Sequence, residues 1–563
     1  MQRAADAALA RFAQSSPSQS WNSGLGTLLA GMDAAWAYTA NGQYYEFVRR
    51  SVDPFVSSDG TIAAFDRPAD SCSRALLARQ FLLLYRVTQD KKYFLAAKTL
   101  RTEVAGETNS ASAGERSLPI DSLHPGLCPV DPFLAEYASV FQEPQLRPQI
   151  TRQLLLMDRP TSVVQTETPR SRNEANPSSS GPSLRSLATT MTALVDALPF
   201  YPQSDPGRGS LLAILHQTAA AVIRAQDPHT GLWTRTLVRP DAQASDIDCL
   251  LTYALAKSVR LGYLPRADLP STERAWLAIR NKWHGDGDET LPGSTGHSDS
   301  ASTATGAFLL AASEMTLQPR AIEGLGSNVL LDAWYNSQRR ENAAGQSQLF
   351  HYKWDDDSDS GFSAFGHIFR RYGMTTSTLE SAPTFAKLRE AQYYIIVSPD
   401  NPAKNPHPHY MNAADAAQIA AWVRSGGVLL MMENDPANAD ILHMDILADR
   451  FGLHFNNVLV HHVIGDRFDM GRIDVPSAAP PFTHPHLLYM KDTCSLALSK
   501  DAKPLLQWQG DTLMAFEKYG KGTVVAVTDP WLYNEYTDGR KLPLDYDNFA
   551  AGVELVHWLL QQR

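Results

Sequence analysis

The chain has 563 residues, more than one hydrophobic core usually serves, so two domains are expected. Apolar residues make up 44% and charged residues 20%, a globular profile, and a net charge of −10 with a pI near 5.9 lacks the basic footprint of nucleic-acid binding. No run of about 18 apolar residues occurs, so no membrane span is expected.

The start, Met1-Gln2-Arg3-Ala4-Ala5-Asp6, lacks a charged region followed by an apolar stretch, which gives a cytoplasmic location as the expectation, or an exported one if a leader has been trimmed. Over the first ~315 residues apolar positions recur at helical spacing, as in Leu25, Leu28, Leu29, Met32, Ala35 and Trp36. The unit then returns: "AWAYTANGQYYEFVRRSVDPFV", "LLLYRVTQDKKYFLAAKTLRTEV", "LAEYASVFQEPQLRPQITRQLLLM" and two later copies each read as a helix, a polar turn and a second helix. About six such hairpins predict an α/α toroid over residues 1–317, with its site at one mouth, among loops rich in Gly, Ser and Pro. Cys72, Cys128, Cys249 and Cys494 are scattered without a CxxC pair, so buried thiols are expected rather than disulfides or a zinc site.

Residues 318–327 read as a linker. Beyond them strand-like runs alternate with helices: "NVLLDAWYN", "SGFSAFGHIFRRYG", "YYIIVSPD", "NAADAAQIAAWVRSGG", "VLLMMEND" and "GTVVAVTDPW", closed by "NFAAGVELVHWLL". This alternation predicts a doubly wound α/β sheet over residues 328–563. The acidic run Asp355-Asp356-Asp357-Ser358-Asp359 lacks the Gly and distal Glu of a calcium loop and reads as a solvated loop ahead of a helix. The close pairs His407 and His409, His461 and His462, and His484 and His486 have no third ligand, so no metal is assigned.

The phrases "LLLYRVTQDKKYFLAA", "DPFLAEYA", "AQDPHTGLW", "YALAKSVRLGYLP" and "GAFLLAASEM" resemble glycoside hydrolase family 105 and its close relative family 88, the unsaturated rhamnogalacturonyl and glucuronyl hydrolases. The resemblance implies a six-hairpin (α/α)6 toroid that removes the 4,5-unsaturated uronic acid left on oligosaccharide ends. It implies no metal or organic cofactor, and an oligosaccharide, pectic by resemblance, as the ligand. The family's catalytic Asp stands in a Trp-Leu-Asp-Gly-Leu-Tyr-Met stretch before Glu-Pro-Phe. Here the stretch is Leu123-His124-Pro125-Gly126-Leu127-Cys128-Pro129 before Asp131-Pro132-Phe133, so Pro125 takes the place of the acid. The family's mouth motif Trp-Gly-Arg-Ala-x-Gly-Trp keeps only its Arg, as Arg185, and a second family Asp maps to Ser73. The candidates left for acid chemistry are Asp131, Asp121 and His124, and those for substrate contact at the mouth are Arg185, Trp233, Asp246 and Asp248. The leading reading is a glycoside-hydrolase-like protein of unsaturated-uronide breakdown with altered or lost activity. The rivals are a non-catalytic carbohydrate-binding or scaffolding protein, and a protein whose active part is the α/β domain.

"GGVLLMMENDPANAD", "YMKDTCSLAL" and "KYGKGTVVAVTDPWLYNEYTDGRKLP" resemble the α/β domain fused behind some family 105 hydrolases, and through it the class I glutamine amidotransferase group with its flavodoxin-like sheet. That group's nucleophilic Cys is missing from the turn Met432–Pro436. Ligands of doubly wound sheets lie at the carboxyl ends of strands, which makes Trp334, Asn434, Asp435, Trp531 and Glu535 the candidates there.

Overall fold

Apolar side chains repeating every three to four residues in the first half must be covered on one side, and the chain covers them by packing helices against one another, twelve of them among the described residues. The computed structural model describes residues 1–13, 21–63, 71–112, 127–157, 183–233, 246–284, 299–476, 480–499 and 501–563. The chain divides into two compact units. The first comprises Met1–Thr39, Gln43–Tyr85 and Gln89–Gln318; the second comprises Pro319–Arg563 with the short pieces Ala40–Gly42 and Arg86–Thr88. Among the described residues no helix is long and apolar enough to cross a membrane.

The first unit's helices are α1 (Gln2–Ala13), α2 (Ser23–Thr39), α3 (Gly42–Val52), α4 (Ser71–Thr88), α5 (Lys91–Ser112), α6 (Val130–Val140), α7 (Arg147–Leu156), α8 (Leu184–Ala197), α9 (Arg208–Ala225), α10 (Asp246–Arg260), α11 (Leu269–His284) and α12 (Asp299–Leu317). The even-numbered ones form an inner layer. Helix α8 buries every residue from Thr190 to Ala197, and α10 every residue from Ile247 to Ala256. Outer helices bury one stripe, as α7 does with Ile150 and Leu154. Helix α12 packs on both α10 and α2, α10 on α8, and α8 on α6, so the last inner helix closes back onto the first. That closure needs glycine: a Cβ on Gly306 would lie 2.1 Å from the Thr27 carbonyl oxygen, and one on Gly31 would lie 2.6 Å from that of Gly306. Connections from inner to outer helices are short, residues 40–41 and 89–90 among them, whereas the long ones, such as 113–129, 157–183 and 226–245, all precede inner helices. In antiparallel hairpins the inner helices all begin at one end, the mouth of the toroid.

One expectation is corrected here. Cys72, in the first turn of α4, is disulfide-bonded to Cys128, just before α6. Their spacing in sequence carries no framework signal, but successive inner helices start side by side. Cys249 and Cys494 are free and buried.

The second unit contains β1 (Asn328–Asp332), the hairpin β2–β3 (Arg339–Glu341, Ser347–Leu349), α13 (Ser363–Arg371), β4 (Thr375–Leu379), α14 (Phe385–Leu388), β5 (Tyr393–Val397), α15 (Ala413–Arg424), β6 (Val428–Met432), α16 (Ile441–Ala448), β7 (Leu453–Asn456), β8 (Arg472–Val475), β9 (His486–Tyr489), β10 (Ser495–Leu498), β11 (Lys503–Trp508), β12 (Asp511–Tyr519), β13 (Gly522–Val527), α17 (Asn534–Thr537) and α18 (Asn548–Leu560). The main sheet has the order β11-β12-β13-β6-β5-β1-β4. Strands β4, β1, β5, β6 and β13 are parallel, and β12 and β11 extend one edge antiparallel. Counted along the chain the parallel strands stand 2-1-3-4-5, with the reversal between β1 and β5. Strands β5, β6 and β13 are buried throughout because cores cover both faces, one containing Phe365, Leu430 and Val525, the other Ile419, Leu429 and Val524.

Candidate functional site

Inner helices made almost wholly of apolar residues each carry an occasional charge, and these charges meet inside the ring. Arg79 on α4 donates to Glu136 on α6 at 3.2 Å and to Asp196 on α8 at 3.3 Å. Helix α6 separates α4 from α8 in the ring, so the Arg79–Asp196 contact runs through the interior. Asp196 also accepts from the Tyr253 hydroxyl at 2.6 Å and the Lys257 ammonium at 2.7 Å, both on α10. Arg260 on α10 forms a two-pronged pair with Glu314 on α12 at 2.6 and 2.7 Å. Although burial opposes their charge, the Lys257 and Arg79 cations hold Asp196 below the usual carboxylate range, while Glu136 and Asp196 hold Arg79 above its ordinary value. Two cations thus meet two carboxylates, and the second pair is also neutral.

About three turns nearer the mouth, on the faces of Asp196 and Lys257, stand Arg185 and Asp246. They pair at 3.1 Å, with the Arg185 side chain 30% exposed and Asp246 15%. Ser183 caps α8 by accepting the Ser186 amide, which fixes the turn that presents Arg185. Of the sequence-selected mouth residues, these two are brought together.

The others are not. Trp233 is fully buried, and its indole N–H donates to the Val222 carbonyl at 2.8 Å, so it offers no stacking face. Asp248 is fully buried too and accepts the Trp233 amide at 2.8 Å; two residues beyond Asp246, it faces the opposite side of α10 and organises a turn. Asp131, in the first turn of α6, is buried with Oδ1 unpartnered, and burial pushes its carboxyl up to about 7. Five residues separate it from Glu136, which turns it roughly 140° from the interior-facing side. Asp121, His124 and Pro125 lie outside the described residues. Ser73 is buried, with its carbonyl accepting the Trp21 indole N–H at 2.9 Å.

In the second unit the reversal point of the sheet is filled by a closed hydrogen-bond set. Asp332 accepts the Tyr335 amide and the Tyr394 hydroxyl, each at 2.8 Å. Asp400 accepts from Ser337, Gln338 and Asn405, and the buried Lys353 donates to both Asn336 oxygens at 2.9 Å. The candidate residues there are engaged within the fold. Trp531 is fully buried in the core, which corrects its expected stacking role. Asp435 is buried and caps its own turn through the Ala437 amide, Glu535 accepts the Ser360 amide, and the Asn434 side chain accepts the Asp435 amide. Trp334, half-buried, stacks on His409 with ring centroids 3.5 Å apart. In the acidic run Asp355 and Asp359 are exposed, as a solvated loop would have them, but Asp356 is buried and binds Arg340 and the His351 amide at 3.0 Å. Asp445, Asp449 and His454 bring three potential metal-ligand atoms within 4.8 Å, but they stand largely at the surface, and the imidazole already pairs with both carboxylates at 3.4 and 2.9 Å.

Sequence reasoning missed Arg79, Glu136, Asp196, Tyr253, Lys257, Arg260 and Glu314. The available signal was a charge interrupting each apolar helix, as in "LLARQFLLLY", "ALVDALPF" and "YALAKSVR".

Among solved structures, the chain is similar to a glycoside hydrolase of family 105 from C. acetobutylicum ATCC 824, at 20% identity over 56% of this chain and 98% of that one, with a TM-score of 0.44. It is similar to a family 88 glycosyl hydrolase from Bacteroides vulgatus, at 15% identity over 56% and 97%, with a TM-score of 0.42. The mmIFT52 N-terminal domain matches at 15% identity over 42% and 98%, with a TM-score of 0.32. Residues 1–317, more than half of the 563, match Glycosyl Hydrolase Family 88, and the chain belongs to that family.

Proposed function

We propose that the mouth of the first unit binds the uronyl end of an unsaturated, pectic oligosaccharide and that the family's hydration step has been lost. The observation that carries this reading is the pairing of Glu136, Asp196, Asp246 and Glu314, the carboxylates placed above on interior-facing helix positions. Hydration of a vinyl ether needs a carboxylic acid that can deliver a proton within hydrogen-bond reach; Asp196, held below the usual carboxylate range by Lys257 and Arg79 against the effect of burial, is a poor donor, and the other three carboxylates are each engaged by an arginine. In sequence, Pro125 stands where the acid is expected, and a proline side chain carries no proton to give.

Binding is better provided for than chemistry. Arg185 is partly exposed at the mouth, and a uronate carboxylate can replace Asp246 on its guanidinium. The inner helices begin at this end, which favours negative charge there. Calorimetric titration with unsaturated digalacturonate tests the reading: wild type binds, Arg185→Ala weakens binding about tenfold or more, and no double bond is consumed. A second reading assigns a residual acid role to Asp131, favoured by its carboxyl near 7 and its unpartnered oxygen. Double-bond consumption abolished by Asp131→Asn would establish it. The Cys72–Cys128 bond supports an oxidising compartment in place of the cytoplasm, which thiol titration of protein isolated from its native cells tests.

A further inference from the structure

Helix α16 and strand β7 meet at a corner that apolar packing holds rigid. Met444, Leu447 and Ala448 on α16, Phe451 in the turn, and Leu453 and Phe455 on β7 are each 0–1% exposed and belong to one core. Gly452, in the left-handed region at φ 71°, ends the helical turn so that the strand starts at the next residue. The same frame sets the positions of the polar side chains on this corner. Asp445 and Asp449 are four residues apart and share a helix face, and His454 alternates with Leu453 and Phe455 along β7.

These three side chains converge. One ligand atom from each lies within 4.8 Å of the other two, and His454 Nδ1 stands 2.9 Å from Asp449 Oδ1 and 3.4 Å from Asp445 Oδ2. Ligand atoms held about 2.1 Å from one tetrahedral zinc ion are roughly 3.4 Å apart, close to this spacing. Asp445 is 7% exposed. Its Oδ1 accepts the Phe455 amide at 2.9 Å, which fixes the carboxylate, while its Oδ2 is turned to the imidazole without a hydrogen bond of its own. Among the described residues this is where three such atoms meet; His461, His462, His484 and His486 pair with carboxylates but bring no third ligand into range.

We propose that Asp445, Asp449 and His454 bind a divalent transition cation of the zinc class, with water completing its shell and the ion clamping the end of α16 to β7. The donor set selects the class. Calcium and magnesium take oxygen ligands, whereas imidazole together with carboxylates suits zinc and its neighbours. Two acids facing one ring nitrogen carry more negative charge than a single imidazolium balances, and a divalent ion answers both. Asp449 and His454 are exposed, so the ion enters from solvent without opening the fold. Surface placement on a rigid corner fits a structural clamp better than a reaction centre. The clamp lies in the second unit and does not depend on what the toroid mouth binds.

The test titrates full-length, chelator-treated protein with zinc chloride by calorimetry, with calcium and magnesium chloride as comparators. Zinc is expected to bind at one site per chain in the micromolar range or tighter, and calcium and magnesium at least a hundredfold more weakly. His454→Ala and Asp445→Asn are each expected to weaken zinc binding tenfold or more. The first removes an exposed side chain and the second keeps an oxygen for the Phe455 amide, so both are expected to fold, as circular dichroism checks. His484→Ala is expected to leave zinc binding unchanged, which separates this corner from the other histidine pairs. Zinc should also raise the melting temperature of the second unit in wild type and not in His454→Ala. No zinc binding in the micromolar range, zinc binding that survives both His454→Ala and Asp445→Asn, its loss in His484→Ala, or calcium bound as tightly as zinc would each overturn the proposal.

Discussion

Replacing Cys72 and Cys128 together by serine perturbs the mouth without touching the charges inside the ring. The bond spans a sequence separation of 56. In the chain-entropy picture, closing a loop of that size removes about 14 cal/mol/K from the denatured ensemble, or about 4 kcal/mol at 25 °C. An unfolding entropy of roughly 2.1 cal/mol/K per residue over the first unit converts this to a fall in Tm of about 6 °C. Differential scanning calorimetry is the suitable assay, because the two units need not melt together and only the first unit's transition is expected to move. Thiol titration of the unfolded, unreduced wild type should count two thiols per chain, those of Cys249 and Cys494. Four thiols in protein folded under oxidising conditions, or an unmoved transition in the double variant, would refute the reasoning.

The buried charges give further predictions. Asp196→Ala leaves Lys257 and Arg79 facing each other without their shared carboxylate and should destabilise the first unit by about 3 kcal/mol in denaturant titration. Asp131 is raised to about 7 from 3.8, so it stabilises the native state below about pH 4 and loses that contribution as pH rises through 7, by up to about 4 kcal/mol. The stability of Asp131→Asn should accordingly fall less than that of wild type between pH 4 and 8; parallel curves would show that the carboxyl is not desolvated as the structure has it. Arg185→Ala should weaken uronide binding while changing stability by no more than about 1 kcal/mol, since the pair it breaks is partly solvated.

Most helices and the parallel strands β1, β5, β6 and β13 were legible because each is a periodic or continuous apolar pattern, such as "YYIIV" and "VLLMM", which bury every residue, whereas the parallel edge strand β4, "TTSTL", has no such pattern and was missed. The short ladders β7 with β10 and β8 with β9 were not, because their pairing is antiparallel across an irregular segment of polar and apolar residues. Arg185 and Asp246 were reached from the sequence through the family motif and the loop position. The network beneath them was not, because its partners lie far apart along the chain, 57 residues from Asp196 to Tyr253 and 117 from Arg79 to Asp196. A charge inside an apolar helix reads alone as an imperfection and acquires meaning only when the ring closes. Trp233 and Trp531 misled in the opposite direction: an indole after a loop or strand end suggests a platform, and only packing shows that both rings are buried.

The most direct test of the central claim follows the double bond of unsaturated digalacturonate by its ultraviolet absorbance while the same protein's binding is measured calorimetrically. Binding with no loss of absorbance above the no-enzyme control is the predicted result. Loss of absorbance at a rate set by the protein concentration, and abolished by Asp131→Asn, would contradict it and place the missing acid on α6.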